Sequence, residues 1–169
     1  MDANELKVLQ APLKQSYRDD PGFALVRLKA EGGLSPDNLT CKIETGKALV
    51  AAGLHPKTGG DGSAACSGDM LLEALCACAG VTMTAVAKAI GVDIREGRVR
   101  AEADFDARGT LGVDREAPVG LDDITLEFEL DSDADAEQLA TLLKLTERYC
   151  VILQTLRRGQ EVRASVTAG

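Results

Sequence analysis

The stretch Asp69-Met70-Leu71-Leu72-Glu73-Ala74-Leu75-Cys76-Ala77-Cys78-Ala79-Gly80-Val81-Thr82-Met83 runs on to Ile90 and is followed by Gly91, with Glu73 and Lys88 the only charges between Met70 and Ile90. On a helix of 3.6 residues per turn its Met, Leu, Ala, Cys and Val side chains fall on every side. A helix that is apolar all round must be largely covered, so the stretch predicts a central helix over about 70–90. Asp69 complements the positive end of such a helix, and Gly91 supplies the left-handed residue at which helices stop. The two charges and the many small residues fit a buried helix of a soluble protein better than a membrane span. Ala74, Ala77, Ala79 and Gly80 leave little bulk around Cys78, so a second helix is expected to pack there.

Downstream, Val99, Ala101, Ala103 and Phe105 alternate with Arg100, Glu102, Asp104 and Asp106, and Ile124, Leu126, Phe128 and Leu130 repeat the period after a loop at 109–120. Period two with one polar face predicts antiparallel strands that have helices on one side only. Asp131-Ser132-Asp133 introduces a helix from about Ala136, whose apolar or small positions Leu139, Leu142, Leu143, Thr146, Tyr149, Cys150, Leu153 and Leu156 put Cys150 on its buried face. A last strand is expected at Glu161–Thr167. Upstream, residues 53–68 form a glycine-rich loop containing His55-Pro56 and Gly59-Gly60-Asp61-Gly62-Ser63, long enough to suggest a functional segment. Phe23–Ala30 and Asn38–Thr45 are expected to be strands joined by a hairpin through Gly32-Gly33 and Ser35-Pro36-Asp37. The order of strands, helix, strands, helix, strand makes residues 1–169 one α+β domain, with an N-terminal arm at 1–21 carrying at most one short strand, N-terminal strands at 22–52 and the loop at 53–68.

The chain is 169 residues long, enough for one core and too short for two ordinary domains. Its net charge of −8 opposes binding to nucleic acid or anionic membranes, and an aromatic content of 3% leaves little with which to stack bases or sugars. Acidic residues at Met1-Asp2-Ala3-Asn4-Glu5 stand where an export signal needs basic ones, so a cytoplasmic location is expected. Five cysteines, an odd number in a reducing compartment, argue against a disulfide framework. With no Cys-x-x-Cys pair and a single histidine, His55, no metal site and no cofactor are expected.

The cysteines then stand as buried packing residues or as redox thiols. Cys78 and Cys150 lie on two apolar helices that are expected to touch, and a disulfide between them needs Cα atoms within roughly 4.4–6.8 Å. Pattern alone leaves both readings open. Cys76 points about 200° around the helix from Cys78, so only one of the two can face a given partner. Cys41 falls on a strand and Cys66 in the loop, where neither has a partner suggested by spacing.

Gly59-Gly60-Asp61-Gly62 leading into Asp69–Met83, together with Glu147-Arg148-Tyr149-Cys150 and Thr155-Leu156, resembles the OsmC/Ohr family over about residues 59–167. The resemblance implies an intertwined homodimer with two central helices per subunit wrapped by antiparallel sheets. It also implies thiol-dependent reduction of organic hydroperoxides without metal or prosthetic group. Carried over, Cys78 matches the thiol that attacks the peroxide to give a sulfenic acid. Cys150 matches the resolving thiol that closes a disulfide, which an external dithiol then reduces. Three positions depart from the family pattern: Gly68, with Asp69 beside it, replaces a glutamate; Val151 replaces a proline; and no arginine follows Ala30, leaving Arg27 as the nearest candidate cation. The alternative is a non-catalytic member, a dimer that binds a small apolar molecule or senses redox state. An arginine beside Cys78 would separate the two readings in favour of catalysis.

Overall fold

The computed structural model describes residues 3–35, 40–43, 52–63, 65–159 and 161–167. In chain order these form α1 (Ala3–Asp19), β1 (Leu25–Ser35), β2 (Thr40–Ile43), β3 (Ala52–Gly53), β4 (Ala65–Cys66), α2 (Ser67–Ile90), β5 (Glu96–Asp106), α3 (Ala107–Thr110), β6 (Asp122–Asp131), α4 (Ala136–Tyr149) and α5 (Val151–Arg158). β2, β1, β5 and β6 make one antiparallel sheet in that order, while β3 and β4 pair in parallel. The architecture is the expected α+β arrangement of helices on one face of an antiparallel sheet.

The apolar stretch is the central helix. α2 begins three residues earlier than its periodicity suggests and ends at Gly91, whose φ of 74° turns the chain so that the Val92 N–H also bonds the Ala87 carbonyl, at 2.9 Å. It lies against the sheet face formed by Val99, Ala101 and Ala103, all fully buried, and shares a core with them through Leu72, Leu75, Cys76 and Ala79. Each fully buried aliphatic side chain here is worth about 1.5–3 kcal/mol. A second cluster continues the core along the helix, where Met83 and Ala87 meet Val92, Ile94 and Leu142. Outward-facing residues hold the register by charge, since Arg98 stands opposite Glu129, Arg100 opposite Glu127 and Arg27 opposite Asp104. A one-residue slip would place these charges on the apolar face.

Four expectations are corrected. The N-terminal arm is a 17-residue helix, despite Pro12 inside it. Pro12 interrupts the helical pattern in sequence, yet proline removes one donor and the helix is anchored tertiarily. Tyr17 is buried with Ala24, Ala107 and Leu111, and its hydroxyl donates to the Lys57 carbonyl. Gly32-Gly33 does not turn the hairpin. β1 runs through both to Ser35, pairing Gly32 with Ile43 and Ser35 with Thr40, so the connection is 36–39, outside the described residues. The long C-terminal helix is two helices, broken at Cys150 by an extended ψ of 109°. Glu161–Thr167 has no regular structure, and Val162 and Val166 are 86% and 96% exposed. An alternating sequence becomes a strand only beside a neighbour that takes up its backbone hydrogen bonds, and this segment has none among the described residues.

The loop is partly structured. β3 and β4 clip its ends together, and Pro56–Thr58 forms a 3-10 turn in which the Thr58 hydroxyl donates to the His55 carbonyl. Gly60 is required there, because a Cβ would stand 1.7 Å from the Leu54 carbonyl oxygen.

Candidate functional site

Cys78 sits in the middle of α2 and Cys150 at the junction of α4 and α5, and the fold packs Cys78 against the buried cluster that holds Cys150, near enough for one sulfur to act on the other. The reason is packing. The α4–α5 junction lies on α2 where its residues are smallest, and Leu153 joins Leu72, Leu75, Cys76, Ala79 and Cys150 in one buried cluster with Cys78 at its margin. Cys150 has no exposed surface and Cys78 is half-buried, so the pair has one sulfur that solvent-borne molecules can reach and one that they cannot.

Burial pushes the Cys150 thiol up to about 11, and the neighbouring Cys78 sulfur pushes the same way. The amides of Leu153 and Ile152, at the start of α5, pull against both. At neutral pH Cys150 therefore keeps its proton and can donate it toward Cys78. The Cys78 carbonyl is itself bonded by the Thr82 hydroxyl at 2.7 Å, which ties the backbone of this turn. Chemically, the arrangement is an accessible sulfur backed by a buried thiol in the same cluster. That combination suits a reaction in which the outer sulfur is oxidised first and the inner one closes on it.

The other expected residues are placed apart. Cys76 is fully buried among core residues, as its helical phase requires. Cys66 is half-buried at the start of α2, and Cys41 lies on β2. Arg27 is not the cation beside Cys78. Its Nε lies 3.0 Å from Asp104 Oδ1 and its Nη1 3.3 Å from Glu102 Oε2, on the sheet face turned away from α2. The alternation of β5 fixes this, because Asp104 and Glu102 point opposite to Ala103 and Ala101.

Asp69 occupies the first turn of α2 near His55. Burial raises its carboxyl, with His55 opposing, and burial followed by Asp69 raises Glu73 one turn on. His55 is lowered by burial first, and Lys57 adds to this while Asp69 opposes it. Its Nδ1 accepts the Lys57 amide at 3.0 Å and its ring stands edge-on to Phe105, 5.4 Å between centroids. A cavity of about 440 Å³ opens beside it, lined by Leu54, Cys66, Leu71, Phe105 and Leu121 among others. Leu71 precedes Cys78 by seven residues, two turns along nearly the same helix face. No local pattern shows that His55, in a loop, stands against Phe105 and Asp69, since that requires the loop to fold over the start of α2. Among the described residues no group of three or more His, Cys, Asp and Glu side chains could hold a metal ion.

Comparison with known proteins adds two findings. The family model described as OsmC-like protein matches residues 60–165. The crystal structure of an OsmC-like hydroperoxide resistance protein from Jannaschia sp. CCS1 superposes with a TM-score of 0.62 at 17% identity, covering 86% of this chain and 95% of that one. No curated protein sequence matches. At that identity the likeness is one of fold.

Proposed function

Since the chain belongs to the OsmC-like protein family, we propose that it reduces organic hydroperoxides through Cys78 and Cys150. The observation that carries this reading is the packing of a half-buried Cys78 against the cluster that holds a fully buried Cys150, the two delivered by separate helices. In the first step the Cys78 thiolate attacks a peroxide oxygen: an S–O bond forms, the O–O bond breaks, and the alkoxide leaves as alcohol after taking a proton. In the second step the Cys150 sulfur attacks the Cys78 sulfenic acid, the S–O bond breaks, and the departing hydroxide takes the Cys150 proton to leave as water. The resulting disulfide is returned to two thiols by an external dithiol, which itself becomes a disulfide. No cofactor enters either step.

The working unit of this reading is a homodimer in the cytoplasm. α2 is apolar on all sides yet leaves Met70, Leu71, Val81 and Ile90 more than a third exposed, and Leu139, Leu143 and Val151 on α4 and α5 are exposed as well. A second copy would cover these faces and offer Glu161–Thr167 a strand to pair with. Sedimentation is expected to show dimer at micromolar concentration, and a stable folded monomer there would end this part of the reading.

One observation favours the non-catalytic alternative, a dimer that binds a small apolar molecule or senses redox state. Arg27 is committed to Asp104 and Glu102, so it does not supply the cation that would promote the Cys78 thiolate, while an apolar-walled cavity stands along the same helix face. Treating the reduced protein with one equivalent of cumene hydroperoxide separates the two. Catalysis predicts loss of two thiols, a mapped Cys78–Cys150 disulfide, no consumption by Cys78→Ser, and a trappable sulfenic acid in Cys150→Ser. Oxidation starting at Cys66 or Cys41 with Cys78 still reduced would instead support the binding protein.

A further inference from the structure

We propose that Glu147, Gln154 and Arg157 are positioning residues for Cys150, a clamp across the α4–α5 junction that holds its sulfur in closing distance of Cys78. This rests on the two-thiol reading above. α4 ends with the Cys150 amide bonded to the Thr146 carbonyl at 2.9 Å, and α5 begins with the Gln154 amide bonded to the Cys150 carbonyl, also at 2.9 Å. Cys150 is thus both the last cap of one helix and the first cap of the next, with φ −70° and ψ 109°. In an unbroken helix the next amide would close on the Glu147 carbonyl. The turn at Cys150 directs it elsewhere.

Gln154 fills that place from the far side of the break. Its Nε2 donates to the Glu147 carbonyl oxygen at 2.8 Å, in a partly buried setting. Arg157, three residues on and so on the same face of α5, donates through Nη2 to the Glu147 carboxylate at 2.7 Å. One residue of α4 is therefore held at its backbone and at its side chain by two residues of α5, and Cys150 is the pivot between them. A single-residue pivot leaves the helix–helix angle free to vary unless something spans it. At Cys150 itself the sulfur makes no side-chain cap bond and is met only by the amides of Leu153 and Ile152, both on α5, so neither ties α5 back to α4. A disulfide tolerates only a narrow range of Cα separation and torsion, so small changes in that angle act directly on closure.

The test measures closure without peroxide. Ellman's reagent is attacked by Cys78, releasing one thionitrobenzoate and leaving the other bound as a mixed disulfide; Cys150 then attacks the Cys78 sulfur, the mixed S–S bond breaks and the second thionitrobenzoate leaves. Cys41→Ser/Cys66→Ser/Cys76→Ala protein restricts thionitrobenzoate release to the pair. Gln154→Met, which keeps length and apolar bulk but cannot donate, combined with Arg157→Met, is expected to leave release of the first equivalent unchanged and to slow the second about tenfold, an ordinary consequence of displaced reacting atoms. The disulfide should also become easier to reduce in a glutathione buffer. Thr155→Ala removes a hydroxyl bond to the Val151 carbonyl within α5 and should alter neither step. Closure within twofold of the parent in the double variant, or both equivalents slowing together, would overturn the clamp. A parent protein that never releases the second equivalent overturns the clamp and the thiol-pair reading together. A parent that closes but leaves cumene hydroperoxide untouched overturns the peroxidase reading alone, and the double variant still decides the clamp.

Discussion

Raising the pH should accelerate closure by Cys150 over a range in which ordinary thiols have already levelled off. With its pKa at about 11, only ~10⁻⁴ of Cys150 is thiolate at pH 7, against roughly 1% at the ordinary value of 9.0. That is a deficit of about 100-fold in the reactive form. A more basic thiolate is also a better nucleophile, and a Brønsted slope of about 0.4–0.5 over roughly 2 units returns about eightfold. Closure at pH 7 should therefore run about 10-fold slower than for an ordinary thiol held at the same distance, and should rise close to tenfold per pH unit through pH 10. The second thionitrobenzoate released from the Cys78 mixed disulfide reads the part of the shift due to burial, its leading cause, because Cys78 carries no thiol there and the leaving group does not change across that range. Cys150→Ser should release only the first equivalent at every pH. A closure rate that is flat between pH 7 and 10, or that levels near the ordinary value of 9.0, would refute the argument that burial holds Cys150 protonated.

The same burial acts on stability. A thiol raised in the folded state binds its proton more tightly there than when unfolded, so stability is full below the unfolded value and declines as pH climbs from about 9 toward about 11; chemical denaturation at several pH values should show the decline, and Cys150→Ala should flatten it. Gly60→Ala sets a Cβ 1.7 Å from the Leu54 carbonyl oxygen, a clash with backbone, and should destabilise by about 1–3 kcal/mol or more in thermal melts and disturb the 440 Å³ cavity. Leu142→Ala empties a fully buried position between α4 and α2 and should cost about 2–5 kcal/mol, measured by urea midpoint. Arg27→Ala breaks pairs whose arginine side chain is half exposed, so it should change stability by no more than about 1 kcal/mol and leave thiol release kinetics unaltered.

What the sequence determined by itself is whatever a local period can state. The all-round apolarity of residues 70–90 made α2 central, Gly91 ended it, and the alternation at Val99–Phe105 and Ile124–Leu130 gave the strands and their buried faces, because helix phase and strand pleat are fixed by neighbours within a few residues. The capping box of Asp135 and Gln138 likewise starts α4 from local chemistry. Tertiary structure decided the rest. α1 survives Pro12 because Tyr17 is buried across the chain, and Arg27 faces away from Cys78 because β1 pairs with β5 in a register that sets it opposite Asp104. The break at Cys150 has no glycine or proline to announce it. It occurs where the Cys150 sulfur and Leu153 sink into the α2 cluster while Glu147, Gln154 and Arg157 span the junction. The meeting of Cys78 and Cys150, 72 residues apart, at one cluster belongs to the same class. A one-dimensional period shows that two side chains each face a core, but which atoms meet there depends on the angle and depth at which whole helices pack, and that is set by the summed burial of many residues.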